Sequence, residues 1–348
     1  MILNRLQPHT TIIYGLDSKK FQIKTIKART LLTSKRFDLF AKLYYIVNQR
    51  ENREKALEVY TKHIKTFNPD LKEPGRSDKN TINDFINSFE TLINEFEKKD
   101  FNDSISIIPV DSNGVILDGA HRLATLAYFD KLVTIAQFEE VYAKCDFNYV
   151  FFRERGLDWD TLDIIAHEMT KWLPNLFVAC IWPRVNKLKD RSYIENYITS
   201  KYTVSYTKQI HIGLTSLAKF IKLIYQDQDW TTNECAVNDK SLNCYSNARL
   251  LTFIFFEGVN NLNSLIDDKS IIRQYIGYGN HSIHITDNSL ETSKISELVN
   301  SDCGQTLWYN RCIYFDKFAE KIYYFKKVQW LNFKISIATI ISKLKRLL

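Results

Sequence analysis

Several quick signatures are missing from this sequence. Its six cysteines (Cys145, Cys180, Cys235, Cys244, Cys303, Cys312) are scattered without a single C-x-x-C pair. That excludes zinc-ribbon spacing and a small disulfide scaffold, and reduced thiols are the default. No apolar run approaches the roughly 20 residues that a membrane-crossing helix needs. The first fifteen residues show no basic stretch followed by an apolar core, so the expected location is the cytosol. Gly114 and Gly119 have P-loop spacing, but Ala120 and His121 stand where that loop requires Lys and Ser or Thr. Gly277 and Gly279 begin a G-x-G, yet Ser282 takes the place of the third glycine, so no dinucleotide fingerprint survives. Beyond about residue 150 there is neither a repeat nor a low-complexity tract.

What is present describes a folded chain with an anionic partner. Hydrophobic residues make up 45% and aromatic ones 14% of the 348 positions, which favours packed structure over disorder. The length exceeds one typical domain. The expected division is a first domain over 1–150, a mixed second domain over 151–315 that selects substrate or partner, and a basic amphipathic helix over 316–348. A net charge of +7 suits nucleotide, nucleic acid, sugar phosphate or anionic lipid without choosing among them.

Along the chain, partial alternation predicts a strand over 21–32, and helical spacing predicts two helices within 37–67. A loop rich in Pro and Gly covers 68–78. Thr81 or Asn83 can cap a helix to about Glu97 that carries Phe85, Phe89 and Ile93 on one stripe. A strand over 105–110, a tight turn over 111–114, a second strand over 115–117, a helix from Ala120 to about Phe129 and a strand over 132–138 follow. Near the end, 282–286 reads as a short strand, and a helix starts at Asn288 or Ser289 with Glu291 in its first turn. The fold class expected is α/β (α+β).

The sharpest feature is Asp118-Gly119-Ala120-His121-Arg122 at a strand-to-helix junction. First-turn N–H groups of a helix point outward and its dipole favours negative charge, while Gly119 lets the backbone approach closely. Arg122 could grip phosphate oxygens through paired hydrogen bonds, and His121 could donate another.

This arrangement resembles the ParB/sulfiredoxin superfamily, in which a strand ending in Asp-Gly-x-His-Arg leads into a helix that holds nucleotide phosphates. The resemblance covers Phe21 to about Phe138, interrupted by the helical insertion at 37–67, and is sharpest from Pro109 to Ala127. Sulfiredoxins place a catalytic Cys where this chain has Ala120, so sulfinic acid reduction is not expected, and the His121 form is closer to the free-serine-kinase branch. The resemblance implies catalysis by Asp118 and an upstream Glu, here Glu73. It implies phosphate contacts from Gly119, His121 and Arg122, to which the chain position of Arg76 and Lys79 adds two more. ATP or ADP is the implied donor, and Mg²⁺ follows from the chemistry of phosphate with hard oxygen ligands.

More loosely, Arg36-Phe37-Asp38 with Lys42, Glu73-Pro74-Gly75 and the stretch from Arg273 through His284 to Glu291 look like uncharacterised proteins of bacterial surface-polysaccharide gene clusters. That likeness implies a sugar, polyol or polymer end as acceptor, with Arg36, Lys42 and His284 as its contacts.

Plainer readings stand beside these. Arg36, Asp38 and Lys42 suit a solvated helix face or local ion pairs, and Glu73, Arg76 and Lys79 an ordinary polar loop. His281 and His284, three residues apart on a strand, do not share a side as metal ligands would. The C-terminal helix can close the second core, lie on an anionic membrane surface or pack on a partner. The leading function is therefore nucleotide-dependent phosphotransfer to a hydroxyl. The alternatives are a ParB-like nucleic-acid-binding protein, disfavoured because no helix-turn-helix follows the motif, and a non-catalytic protein of polysaccharide assembly.

Overall fold

A computed structural model describes residues 2–72, 79–258 and 262–301. Glu73, Arg76 and the helix expected over 316–348 lie outside the described residues. Helix outweighs strand, 55% against 16%, so two small sheets are embedded among helices in a mixed α/β arrangement.

The N-terminal part opens with α1 (Pro8–Tyr14) and β1 (Phe21–Lys27), followed by α2 (Asp38–Asn48), α3 (Arg53–Phe67) and α4 (Ile82–Lys98). Thr81 begins α4 with a capping box: its hydroxyl accepts the Asp84 N–H, and the Asp84 carboxylate accepts the Thr81 N–H at 2.8 Å. Phe85, Phe89 and Ile93 bury the expected stripe. Next come β2 (Ile108–Val110), α5 (Ala120–Tyr128) and β3 (Leu132–Phe138). The first sheet has the order β1-β3-β2, with β1 antiparallel and β2 parallel to β3. Its edge strand β1 is largely exposed and carries Lys24 and Lys27, charges that discourage edge-to-edge pairing.

Several expected strands are shorter than their sequence pattern: the one read over 105–110 is Ile108–Val110 and the one over 282–286 is Ile283–Ile285. The strand read over 21–32 stops at Lys27 and tightens into a 3₁₀ turn over 28–31. The one read over 115–117 reduces to a single antiparallel bridge between Val110 and Ile116. The reason is buried Asp111, whose Oδ1 accepts the N–H groups of Asn113 and Val115 at 2.9 and 2.8 Å while Oδ2 accepts the Ala143 N–H at 3.0 Å. A side chain that takes nearby backbone donors competes with a ladder.

The rest of the chain is built from α6 (Tyr149–Glu154), α7 (Trp159–Trp172), β4 (Leu176–Ile181), α8 (Leu188–Lys201), β5 (Thr203–His211), α9 (Leu214–Ile224), α10 (Glu234–Cys244), β6 (Leu250–Glu257), α11 (Leu262–Ile276), β7 (Ile283–Ile285) and α12 (Ser289–Asn300). The second sheet is antiparallel throughout, in the order β5-β6-β4-β7. Its central strands divide by the period of two. Leu251, Phe253, Phe255, Val178 and Cys180 face one apolar cluster, and Ile254, Phe256, Ala179 and Ile181 face another, which α8 and α11 complete. Because both faces are covered, these strands read as continuous apolar runs.

The larger cluster is continuous from Ala28 in the N-terminal part to Val299 in α12. Phe37 stacks on Tyr206 of β5 with ring centroids 6.4 Å apart, and Glu257 at the end of β6 accepts the Ser34 N–H at 2.7 Å. No helix among the described residues is long and apolar enough to cross a membrane.

The Asp111 turn aims the following segment, and its loss should be measurable. Asp111→Ala orphans three backbone donors and is expected to lower the unfolding free energy by about 2–4 kcal/mol in urea titrations. A change below about 0.5 kcal/mol would show that the turn holds without it.

Candidate functional site

The segment leaving the Asp111 turn is anchored by the Leu117 N–H to the Pro109 carbonyl at 2.9 Å and then breaks at Gly119. Gly119 precedes α5 with φ +85°, a left-handed conformation that a side chain would strain. An added Cβ would also lie 2.8 Å from Nη2 of Arg122. That contact exists because Arg122 folds back over the glycine to reach Asp118 Oδ2 at 3.3 Å. Gly119 has no side chain to cap the first turn, so the amide end of α5 is left open beside a long, replaceable ion pair.

Behind this junction lies a charge cluster inside the core. Arg36 forks onto Asp38, Nε to Oδ1 at 2.8 Å and Nη2 to Oδ2 at 2.9 Å, and its Nη1 donates to the Ile116 carbonyl at 2.7 Å. Lys42, one turn along α2, donates to Asp38 Oδ2 at 3.0 Å and to the Asp38 carbonyl at 3.2 Å. Arg36, Asp38 and Lys42 are 4%, 1% and 3% exposed, so the solvated helix face is corrected to a buried triad, while the ion pairs are present. Burial raises the Asp38 pKa, but the charges of Arg36 and Lys42 outweigh it and hold the carboxyl well below its usual range.

Two histidines pack against the triad. The His63 ring, fully buried between Phe67 and Phe152, has no hydrogen-bond partner on either nitrogen among the described residues. Burial, then the Lys42 charge, pushes its pKa well below the ordinary value. His121 meets the Tyr60 hydroxyl through Nε2 at 2.9 Å and lies edge-on to Phe89. Burial lowers its pKa strongly too, followed by the charges of Lys42 and Lys79. Neutral His121, expected to donate to phosphate, therefore already spends its Nε2 on Tyr60. Lys79 is buried with its ammonium 5.3 Å from the Phe85 ring.

The structure thus brings together Asp118, Gly119, His121, Arg122, Lys79, Arg36 and Lys42. Among the described residues the printed ion pairs set three cations, Arg36, Lys42 and Arg122, against two carboxylates, Asp38 and Asp118. Tyr60 and His63 escaped the sequence reading. Their three-residue spacing on α3 puts them on one face, but an apolar stripe explains that pattern equally well.

His284 is not brought to this cluster. It sits on β7, opposite Cys180, between the Tyr225 hydroxyl at 3.0 Å from Nδ1 and Glu291 Oε1 at 2.8 Å from Nε2, in a cavity lined by none of the residues from Asp118 to Arg122. His281 approaches Cys244 instead, and among the described residues no group of three His, Cys, Asp or Glu side chains is placed to hold a metal ion.

No protein-family model, curated protein or solved structure matches this chain.

The buried neutral histidine has a consequence for stability. With the folded-state pKa of His63 depressed, the unfolded chain binds the extra proton once the pH falls below about 6.5. Stability should therefore be full above that pH and fall below it, by up to about 1.4 kcal/mol per pH unit for this one residue. Urea unfolding between pH 7.5 and 5 should show a shallower decline for His63→Phe than for the wild type; equal slopes would refute the assignment.

Proposed function

We propose that this chain is a nucleotide-dependent phosphotransferase, with the phosphates of ATP or ADP held over the first turn of α5 and a small or carbohydrate-linked hydroxyl as acceptor. The observation that carries the reading is the cation excess around an uncapped helix start at which a glycine leaves the backbone open. Anions are favoured there by the amides and the dipole alike. Buried cations reinforce the preference, since charge in a poorly solvated setting is weakly screened.

Each side chain then has a distinct task. Arg36 and Lys42 are committed to Asp38 and act on the site through their field. Lys79 and Arg122 are the direct phosphate ligands. An arriving phosphate offers Arg122 a better geometry than its 3.3 Å contact with Asp118. The exchange frees Asp118 to take the proton of the attacking hydroxyl as its oxygen bonds to phosphorus and the bond to the leaving nucleotide breaks. His121, neutral and tied to Tyr60, positions the first turn rather than carrying a proton.

Magnesium fits this scheme in a limited way. Both oxygens of Asp38 are occupied by Arg36 and Lys42, so Asp118 is the carboxylate able to offer one oxygen, with phosphates and water supplying the rest. When bound, the ion would neutralise charge on the transferring phosphoryl group.

The order strand, Asp111 turn, bridge, α5 and strand β3 around Asp118–Arg122 supports reading the N-terminal half as ParB/sulfiredoxin-like, and a nucleotide donor would put the reaction in the cytosol. Ala120 in place of a catalytic Cys argues against sulfinic acid chemistry.

Calorimetric titration with ATP, ADP and CTP in the presence of Mg²⁺ tests the proposal. Arg122→Ala is expected to weaken binding about ten- to a hundredfold. Asp118→Ala should keep the nucleotide but lose about 10²–10⁴ in turnover once an acceptor is supplied. A folded wild type that binds no nucleotide sinks the kinase reading, and a salt-sensitive gel shift with duplex DNA would then favour the nucleic-acid alternative.

A further inference from the structure

A second cavity, of about 420 Å³, opens beside the second sheet, between the segment that follows α9 and helices α10 and α11. Its lining includes Tyr225, Trp230, Lys240, Lys269, Arg273 and His284. This volume is of the order found in small-molecule sites. The question is which of its polar groups are already used.

The acidic side is satisfied internally. Glu291 takes His284 Nε2 on one oxygen and the Asp287 N–H on the other at 2.8 Å, and Asp287 pairs with Lys269. Burial raises the Glu291 pKa, but the bond from His284 and its charge outweigh it, so the group stays a carboxylate. His284 Nδ1 meets the Tyr225 hydroxyl at 3.0 Å. Burial pushes the phenol pKa far up, so Tyr225 stays a neutral phenol. The Tyr225–His284–Glu291 chain is closed and holds one wall of the cavity still.

The basic side is open. Lys240 donates to the Asn280 carbonyl at 2.8 Å and Arg273 Nη2 to the Ile283 carbonyl at 3.2 Å, but neither has a carboxylate partner among the described residues. The Arg273 Nε is enclosed with no acceptor among the described residues. Burial lowers the Lys240 pKa and the charge of Arg273 adds to the effect, so the two cations share one field. An enclosed donor beside two like charges with no counter-ion is costly unless an anion completes it. Next to them, the Trp230 ring is set by its N–H to Gln228 Oε1 at 2.6 Å and by the Tyr225 ring 5.4 Å away. It presents a fixed aromatic wall.

We infer that this cavity is a binding site for a small hydroxylated oxyanion, a sugar-sized molecule bearing phosphate or carboxylate, with Lys240 and Arg273 on the anionic group and Trp230 against the ring. None of its residues belongs to the α5 site, so the inference stands apart from the phosphotransfer proposal.

Calorimetry on the full chain with glucose 6-phosphate, glucuronate, inorganic phosphate and plain glucose tests it. Saturable binding of glucose 6-phosphate or glucuronate, stronger than that of either inorganic phosphate or glucose, is expected, and the tighter of the two names the anionic group. Lys240→Gln and Arg273→Gln should each weaken it about ten- to a hundredfold, while Arg122→Ala leaves it unchanged. Arg273 also supports the Ile283 carbonyl, so melting curves accompany both variants, and Lys240→Gln decides the matter if Arg273→Gln fails to fold. No saturable binding by the folded wild type, binding indifferent to Lys240→Gln, or binding abolished by Arg122→Ala would each overturn the assignment.

Discussion

The buried carboxylate of Asp38 is the constraint on which the N-terminal site depends. A lone charge in the core costs several kcal/mol, and two cations on one carboxylate offset that only because the geometry is good: a bidentate guanidinium, an ammonium one helical turn away, and further donors spent on the carbonyls of Ile116 and Asp38. The Ile116 contact makes the triad more than a helix-capping device. It ties the start of α2 to the segment that carries Asp118, so the position of the motif depends on a charge pair some 80 residues earlier in the chain.

Burial, and after it the charge of Lys42, sets the protonation of the rings beside the triad, and both His63 and His121 are held neutral. The Arg122–Asp118 ion pair, by contrast, is longer and partly exposed. Committed charges within and this longer pair beside them form an arrangement suited to recognising an anion without reorganising the core.

The second cavity uses a different means to a similar end. Its carboxylates are consumed by His284, Lys269 and a backbone amide, and the cations left over are Lys240 and Arg273. The two regions share one apolar cluster, with Phe37 against Tyr206 and Ser34, in the segment before α2, hydrogen-bonded to Glu257.

Local signals were readable wherever local physics dominates. The extent of β3, the Thr81 cap with the Phe85, Phe89 and Ile93 stripe, the helix beginning at Ala120 and the Asn288 cap of α12 follow from hydrogen bonds and periodicities that close within a few residues. The cationic character and the unusual backbone at Gly119 belong to the same class. What the residues alone left undecided was burial and company. Arg36, Asp38 and Lys42 carry the pattern of a solvated helix face, and only packing by Phe37, Phe67 and Phe147 removes them from water. His63 and Tyr60 look like ordinary members of an apolar stripe until α2, α4 and α5 close over them. His284 and Arg273 gain meaning only when the sheet brings β7 next to α12 and α11. Local hydrogen bonding and periodicity act over one or two turns, so the sequence by itself determined most of the elements and placed Asp118–Arg122 at a helix start. Desolvation and charge coupling act between groups that only folding makes neighbours, and so the tertiary structure decided which charges are spent and which are free.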